Sequence, residues 1–145
     1  MNQDHYSKLE RMYLQANINT AMYETTTVKI SEGAAGIGLT ISEKYFHALG
    51  AIHGSVYFKL LDDASFFAVN SIIEDAFVLT TSFNMNIIRP ADSGMIKAVG
   101  KIRYQSKLLF IAESRLFNEE GEEIAFGTGN FSKSKIELTE DIGYK

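Results

Sequence analysis

The chain has no cysteine, no tryptophan and a single proline among 145 residues. Without cysteine there is no disulfide, no thiol nucleophile and no thiolate-held zinc or iron–sulfur centre. That composition suits a reducing compartment, so the cytoplasm is the expected location. The lone proline, Pro90, sits in a turn-forming segment (Pro90 to Gly94) where a missing N–H harms no sheet. An excess of basic charge is also missing: 14 Lys and Arg face 18 Asp and Glu, a net charge of −4. General nucleic-acid binding leaves a basic footprint, and none is present. Residues 1–20 carry Asp4, His5, Lys8, Glu10 and Arg11 instead of an apolar run, so no secretory leader is read there. The most apolar stretch, residues 56–73, is interrupted by Lys59, Asp62, Asp63 and Asn70. Charges at bilayer depth cost roughly 2.5–3.5 kcal/mol each on insertion scales, so a helix buried within a soluble protein is expected, not a membrane span.

The remainder is ordinary for one globular domain. Hydrophobic residues make up 46% and charged residues 22%, which argues against disorder. One domain is expected over residues 1–145, with an N-terminal helix within 1–20 and a tail at 134–145. Tyr6, Leu9, Tyr13 and Ala16 recur at steps of three and four, predicting an amphipathic helix over 5–18. Strands are predicted at 23–31 and 37–42, then a long helix at 55–72 that is apolar nearly all round and must be covered on most sides. Four further strands are predicted at 77–89, 95–105, 107–118 and 122–133. In the second of these Ile96, Ala98, Gly100, Ile102 and Tyr104 share one side. Asn118 to Glu123 reads as a polar hairpin turn around Gly121. With no βαβ alternation a doubly wound fold is excluded. The pattern is α+β: a curved antiparallel sheet wrapped around one central helix.

Two features of that helix carry possible chemistry. Asp62 and Asp63 lie in an oily segment, where an unpaired carboxylate is unfavourable by several kcal/mol. They are about 100° apart on the helix, so they face different neighbours. Either one is solvated while the other forms a structural ion pair with Lys59 or Arg89, or one serves in catalysis. Ahead of the helix stands His53-Gly54-Ser55. These residues read either as a cap and turn, or as a helix N-terminus whose backbone N–H groups hold an oxyanion.

Residues 47–64, HALGAIHGSVYFKLLDDA, resemble the signature of PaaI-like hotdog thioesterases, in which N-x-x-G-x-x-H-G-G precedes a helix carrying L-x-D. Gly50, His53, Gly54, Leu60 and Asp62 fall on matching positions. Residues 79–91, LTTSFNMNIIRPA, resemble the family's N-x-x-R-P-A strand, with Thr80 where a Ser or Thr often stands near the reacting centre. The likeness extends over roughly residues 35–133. Two positions depart: His47 stands for the common Asn, which helps position the attacking water, and Ser55 for the second glycine. His47 reads either as an imidazole that orients a water in the same way or as a loop histidine without a role, whereas Ser55 reads as a helix cap.

The resemblance implies a hotdog fold and hydrolysis of an acyl-CoA thioester, without cofactor or metal. Asp62 is implied as general base or nucleophile, Gly54 N–H as oxyanion donor, Thr80 as the group holding water or carboxylate, and His53 and His47 as supports. Ser55, Thr81, Arg103 and Lys107 are assigned to the substrate and CoA side, with Lys133 and Lys135 as further candidate basic groups. Phe58, Phe66, Phe67, Phe77 and Phe83 are either acyl-pocket walls or core. The alternatives are a hotdog protein that binds acyl-CoA without turnover and a hotdog enoyl-CoA hydratase or dehydratase. A length argument bears on assembly. Gly54 and Asp62, eight residues apart on one helix, are separated by about 12 Å along its axis, yet both must reach one carbonyl. A homodimer, or a homotetramer built as a dimer of dimers, with sites shared between antiparallel helices is therefore expected.

Overall fold

The structure is a computed structural model describing residues 2–145. Its elements are α1 (Gln3–Gln15), α2 (Asn17–Met22), β1 (Thr27–Ser31), β2 (Ala34–Thr40), α3 (Gly54–Asn70), β3 (Ala76–Ile87), β4 (Met95–Gln105), β5 (Phe110–Phe117) and β6 (Glu123–Glu137). Single 3-10 turns lie at Glu43–Tyr45 and Glu140–Ile142. The strands form one sheet in the order β1-β2-β4-β5-β6-β3, every neighbouring pair antiparallel. The sheet curves around α3, the expected architecture. No helix among the described residues is long and apolar enough to cross a membrane.

Several boundaries differ from the sequence reading, each for a local reason. The N-terminal helix is broken at Ala16, which adopts an extended conformation. Asn19, buried in the elbow, donates from Nδ2 to the Tyr13 carbonyl at 2.7 Å and so satisfies the end of α1. β1 starts at Thr27 because Thr26 N–H and Oγ1 both turn back to the Tyr23 carbonyl. β6 runs on to Glu137, which pairs with Ala76, so the first residues of the expected tail belong to the sheet. The inward row of β4 stops short of Tyr104, which is 52% exposed. The β4–β5 register shifts between Ile102 and Tyr104, and one extra residue flips the alternation.

The orientation of α3 is set by close contact with the sheet. Ser114 of β5 donates from Oγ to the Leu61 carbonyl at 2.8 Å. Gly100 of β4 lies under the next turn, where an added Cβ would meet the Ala64 carbonyl group at 2.4 Å. Leu60, Leu61, Ala64, Ala68 and Val69 are thereby fully buried. The opposite stripe of the helix, at steps of three and four, is less covered: Ser55 and Phe58 are exposed, and Asp62 and Phe66 are half-buried.

The two sheet edges are treated differently. On β1, Glu10 of α1 accepts the Ile30 N–H at 2.7 Å. β3 has β6 on one side only and presents twelve residues, AFVLTTSFNMNI, without a charge or a proline to blunt the edge.

Because the helix backbone has no room to retreat, Gly100→Ala is expected to lower unfolding free energy by about 1–3 kcal/mol, the range for overpacking. Gly36→Ala, where the added Cβ meets the flexible end of Lys97 at 3.5 Å and the Ala98 carbonyl oxygen at an ordinary 3.9 Å, is expected to be near neutral. Urea denaturation of the two variants checks the contrast.

Candidate active site

The half-covered stripe of α3 presents Asp62 to β3. Thr80 donates from Oγ1 to Asp62 Oδ1 at 2.9 Å. A β-bulge sets this contact: the register with β6 shifts between Thr80 and Ser82. The inward parity runs through Ala76, Val78 and Thr80 before the bulge, and through Phe83 and Met85 after it. Without the extra residue, Thr80 and Phe83 could not both face α3. Thr81, the bulged residue, is exposed and donates from Oγ1 to the Asn130 carbonyl at 3.0 Å. It closes the interrupted ladder and is not part of the Asp62 cluster.

The two aspartates have different surroundings. Burial pushes the Asp62 carboxyl up to about 6; the Thr80 hydrogen bond opposes this, the negative charge of Asp63 adds to it, and Lys59 opposes it. Asp63 accepts from Tyr13 Oη at 2.6 Å and from Lys59 Nζ at 2.8 Å. Lys59, itself buried, also donates to Asn19 Oδ1 at 2.8 Å and lies over the rings of Tyr13 and Tyr23. Burial, with Asp63 second, pushes the Tyr13 hydroxyl far up, so it remains a donor. The structural ion pair is thus Lys59–Asp63. Arg89 pairs instead with Glu122, at 3.7 Å. The i,i+4 spacing of Lys59 and Asp63 was readable in the sequence; that Tyr13 and Asn19 complete their shell was not.

Asp62 and Thr80 open onto a groove of about 850 Å³, bounded by α1, α2, α3, β3, the end of β6 and the chain after it. Phe66, Phe67 and Phe77 line it. Phe58 and Phe83 do not; they meet edge to face, 5.6 Å between centroids, with the Phe83 ring lying over Gly127 and Gly129 of β6.

A separate cleft lies at the start of α3, lined by His47, Gly54, Tyr57, Ile87, Ile88 and Arg89. His53 is the N-cap, its Nδ1 accepting the Ser55 N–H at 3.1 Å and lying 2.9 Å from Ser55 Oγ. The cap is therefore His53 and not Ser55. Nδ1 is occupied as an acceptor, which leaves Nε2 toward solvent. His47 is exposed, its Nδ1 accepting the Leu49 N–H at 3.1 Å. Gly54 N–H has no acceptor among the described residues. An added Cβ at Gly54 would meet only Ile87, at 3.6 Å, so packing within the chain does not demand glycine here.

One chain therefore brings Asp62 to Thr80, and His47 to Gly54 at the helix end that His53 caps, but does not bring the two groups together. Arg103 and Lys107 are exposed at the β4–β5 end and line neither the groove nor the cleft. Lys133 is held by Asp75 at 2.9 Å.

The family model described as the thioesterase superfamily matches residues 49–125, a span that takes in Gly54, α3 and Thr80 and begins just after His47. The chain belongs to the thioesterase superfamily. Its fold is similar to that of the Escherichia coli PaaI protein from the phenylacetic acid degradation operon, with a TM-score of 0.81 and 20% identity over 95% of this chain and 99% of that one. A thioesterase family protein from Silicibacter pomeroyi has a TM-score of 0.81 and 19% identity, covering 89% and 97%. A phenylacetic acid degradation-related protein from Ralstonia eutropha JMP134 has a TM-score of 0.76 and 17% identity, covering 88% and 98%. No curated protein sequence matches. For this thioesterase-superfamily member the hotdog fold of the sequence reading is thus established.

The raised Asp62 fixes the sign of a stability effect. A carboxyl whose folded-state value lies above its ordinary value favours the fold when protonated. That contribution is full below about pH 4 and lost as pH rises through about 6. Asp62→Asn is therefore expected to raise Tm at pH 8, by about 2–5 °C, and to leave it nearly unchanged at pH 4. Calorimetry at the two pH values checks this.

Proposed function

We propose that this chain hydrolyses acyl-CoA thioesters at two equivalent sites, each shared between two copies. The observation that carries the reading is the arrangement of the two half-sites along the uncovered edge strand. Asp62 and Thr80 meet near the start of β3, while Gly54 and His47 share their cleft with Ile87 near its end. Thr80 and Ile87 are about 23 Å apart along an extended strand. If two β3 edges pair antiparallel about a twofold axis, the start of one lies beside the end of the other. The half-sites then meet twice, once at each end of the seam.

Three features support that pairing. The edge has no charge or proline to deter a second strand. Leu79, Ile87 and Ile88 of and beyond β3 are exposed by 43–52%. Phe58, on the uncovered stripe of α3, is 40% exposed, so a second helix has an apolar surface to meet. A further exposed row across the outer sheet face, Val99–Arg115–Phe126, suits association of two such dimers.

In the proposed reaction the thioester carbonyl oxygen accepts from Gly54 N–H of the partner subunit, at the positive end of its α3. Asp62 takes a proton from water as the water oxygen adds to the carbonyl carbon. Collapse of the tetrahedral adduct breaks the C–S bond, and CoA leaves as the thiolate. In the alternative route Asp62 attacks the carbonyl carbon directly, the C–S bond breaks with loss of the CoA thiolate, and water then opens the resulting mixed anhydride to the free acid and Asp62. Thr80 holds the carboxylate in line, and His47 or His53 of the partner subunit orients water or substrate. Arg103 and Lys107, exposed and without an ion-pair partner among the described residues, are the proposed contacts for the nucleotide phosphates.

Both routes need Asp62 ionised. The kcat/KM for an acyl-CoA is expected to rise about tenfold per pH unit at low pH and level off above about 6. A profile flat from pH 4.5 to 8 would remove Asp62 from the chemistry. Shared sites are tested by complementation. Asp62→Asn and Gly54→Pro homodimers are each expected to lose at least about 10²-fold in kcat. Mixed dimers, which contain one intact site, are expected to regain a large fraction of the activity per intact site. Verified heterodimers without any rescue count against the shared site.

A further inference from the structure

The groove beside Asp62 extends well beyond what a thioester carbonyl needs. Its volume of about 850 Å³ lies in the upper part of the range of small-molecule sites. Its apolar walls come from four places: Phe66 and Phe77 near Asp62, Met12 and Ile18 on α1 and α2, Ile136 at the end of β6, and Ile142 in the last turn. Ile18, Ile136 and Ile142 are 52%, 52% and 39% exposed, yet they gather around this one opening. Exposed aliphatic side chains clustered on a concavity mark a binding surface more than scattered ones do.

The charges around the groove exclude one end of the substrate. Asp62, Asp63, Glu140 and Asp141 all border it. Of the two bordering cations, Lys59 is consumed internally by Asp63, which leaves Lys145. A polyphosphate would be repelled here, whereas an uncharged apolar group would not. The far wall is also anchored. Tyr144 Oη lies 2.7 Å from His5 Nδ1, and Arg11 Nε donates to the Lys145 carbonyl at 2.6 Å, which ties the last turn to α1.

We infer that this groove receives the acyl end of the substrate, that it takes a long uncharged hydrocarbon acyl group, and that Ile18 and Ile142 at its rim determine specificity. The inference rests on the thioesterase reading above. A carbonyl at Asp62 sends its acyl chain past Phe66, one turn further along α3, and over Phe77 toward the rim. The CoA moiety leaves the opposite way, across the partner subunit. A dicarboxylic acyl group is disfavoured by the same acidic border.

Two measurements test this separately from the hydrolysis. Ile18→Trp and Ile142→Trp narrow the groove from opposite walls at surface positions, and circular dichroism verifies their fold. Each is expected to lower kcat/KM for dodecanoyl-CoA by about tenfold or more while changing that for acetyl-CoA by less than about twofold. Equal losses on both substrates, or none on either, would overturn the assignment. Because the chain has no cysteine, Ile142→Cys accepts a single environment-sensitive fluorophore. That label is expected to respond to the non-hydrolysable dodecyl thioether of CoA and not to CoA alone. A silent label while calorimetry registers binding of the thioether would likewise overturn it. A responsive label on a chain that turns over no thioester leaves the groove assigned and removes the hydrolase reading. Thioester turnover independent of acyl length does the reverse.

Discussion

Everything functional in this chain depends on how α3 is rotated against the sheet. Ser114 donates to the Leu61 carbonyl, and the missing side chain at Gly100 lets the sheet reach the Ala64 backbone. Contact that close leaves little freedom to roll the helix, because any rotation would drive a side chain into β4. With Leu60, Leu61 and Ala64 turned inward, Asp62 is turned toward β3. Asp63, about 100° further round, is turned toward the N-terminal helices. Two adjacent residues of one type thus acquire unlike environments from one packing decision.

The consequences divide along the same line. Asp63 receives two donors on Oδ2, the Tyr13 hydroxyl and the Lys59 ammonium, and is consumed in holding the α1–α2 elbow to the central helix. Asp62 receives one hydroxyl, from Thr80, and is left part-buried beside a groove. Burial without full compensation raises its proton affinity, which suits the proton exchange near neutrality that is proposed for it. The elbow anchored by Asp63 in turn forms a wall of the groove into which Asp62 faces. The structural carboxylate therefore shapes the space that the chemical one is proposed to use.

A hotdog sheet closed on one side only also leaves a specific deficit. The β1 edge is met by Glu10 at the Ile30 N–H, whereas the β3 edge and the Phe58 stripe are bare among the described residues. Both half-sites lie along this bare seam, at opposite ends. The separation between Gly54 and Asp62, which no single helix overcomes, and the uncovered edge are two views of one constraint. Both motivate the proposed pairing with a second copy about a twofold axis.

Periodicity and composition alone determined the helix-and-strand order, the antiparallel class and the oddity of two aspartates in an oily helix. Those signals are local, and they survive in the folded chain because the hydrophobic pattern and the turn residues agree with it. The family resemblance singled out Asp62, Gly54 and Thr80 by spacing, and the helix-length argument separated the first two. What only the tertiary structure decided was which aspartate faces β3, that His53 and not Ser55 caps α3, that a bulge at Thr81 turns Thr80 toward α3, and that the last turn walls a groove beside Asp62. Each of these depends on a contact between residues distant in sequence, such as Tyr13 with Asp63 or Tyr144 with His5. No window along the chain contains such a contact, so propensity and spacing could not supply it.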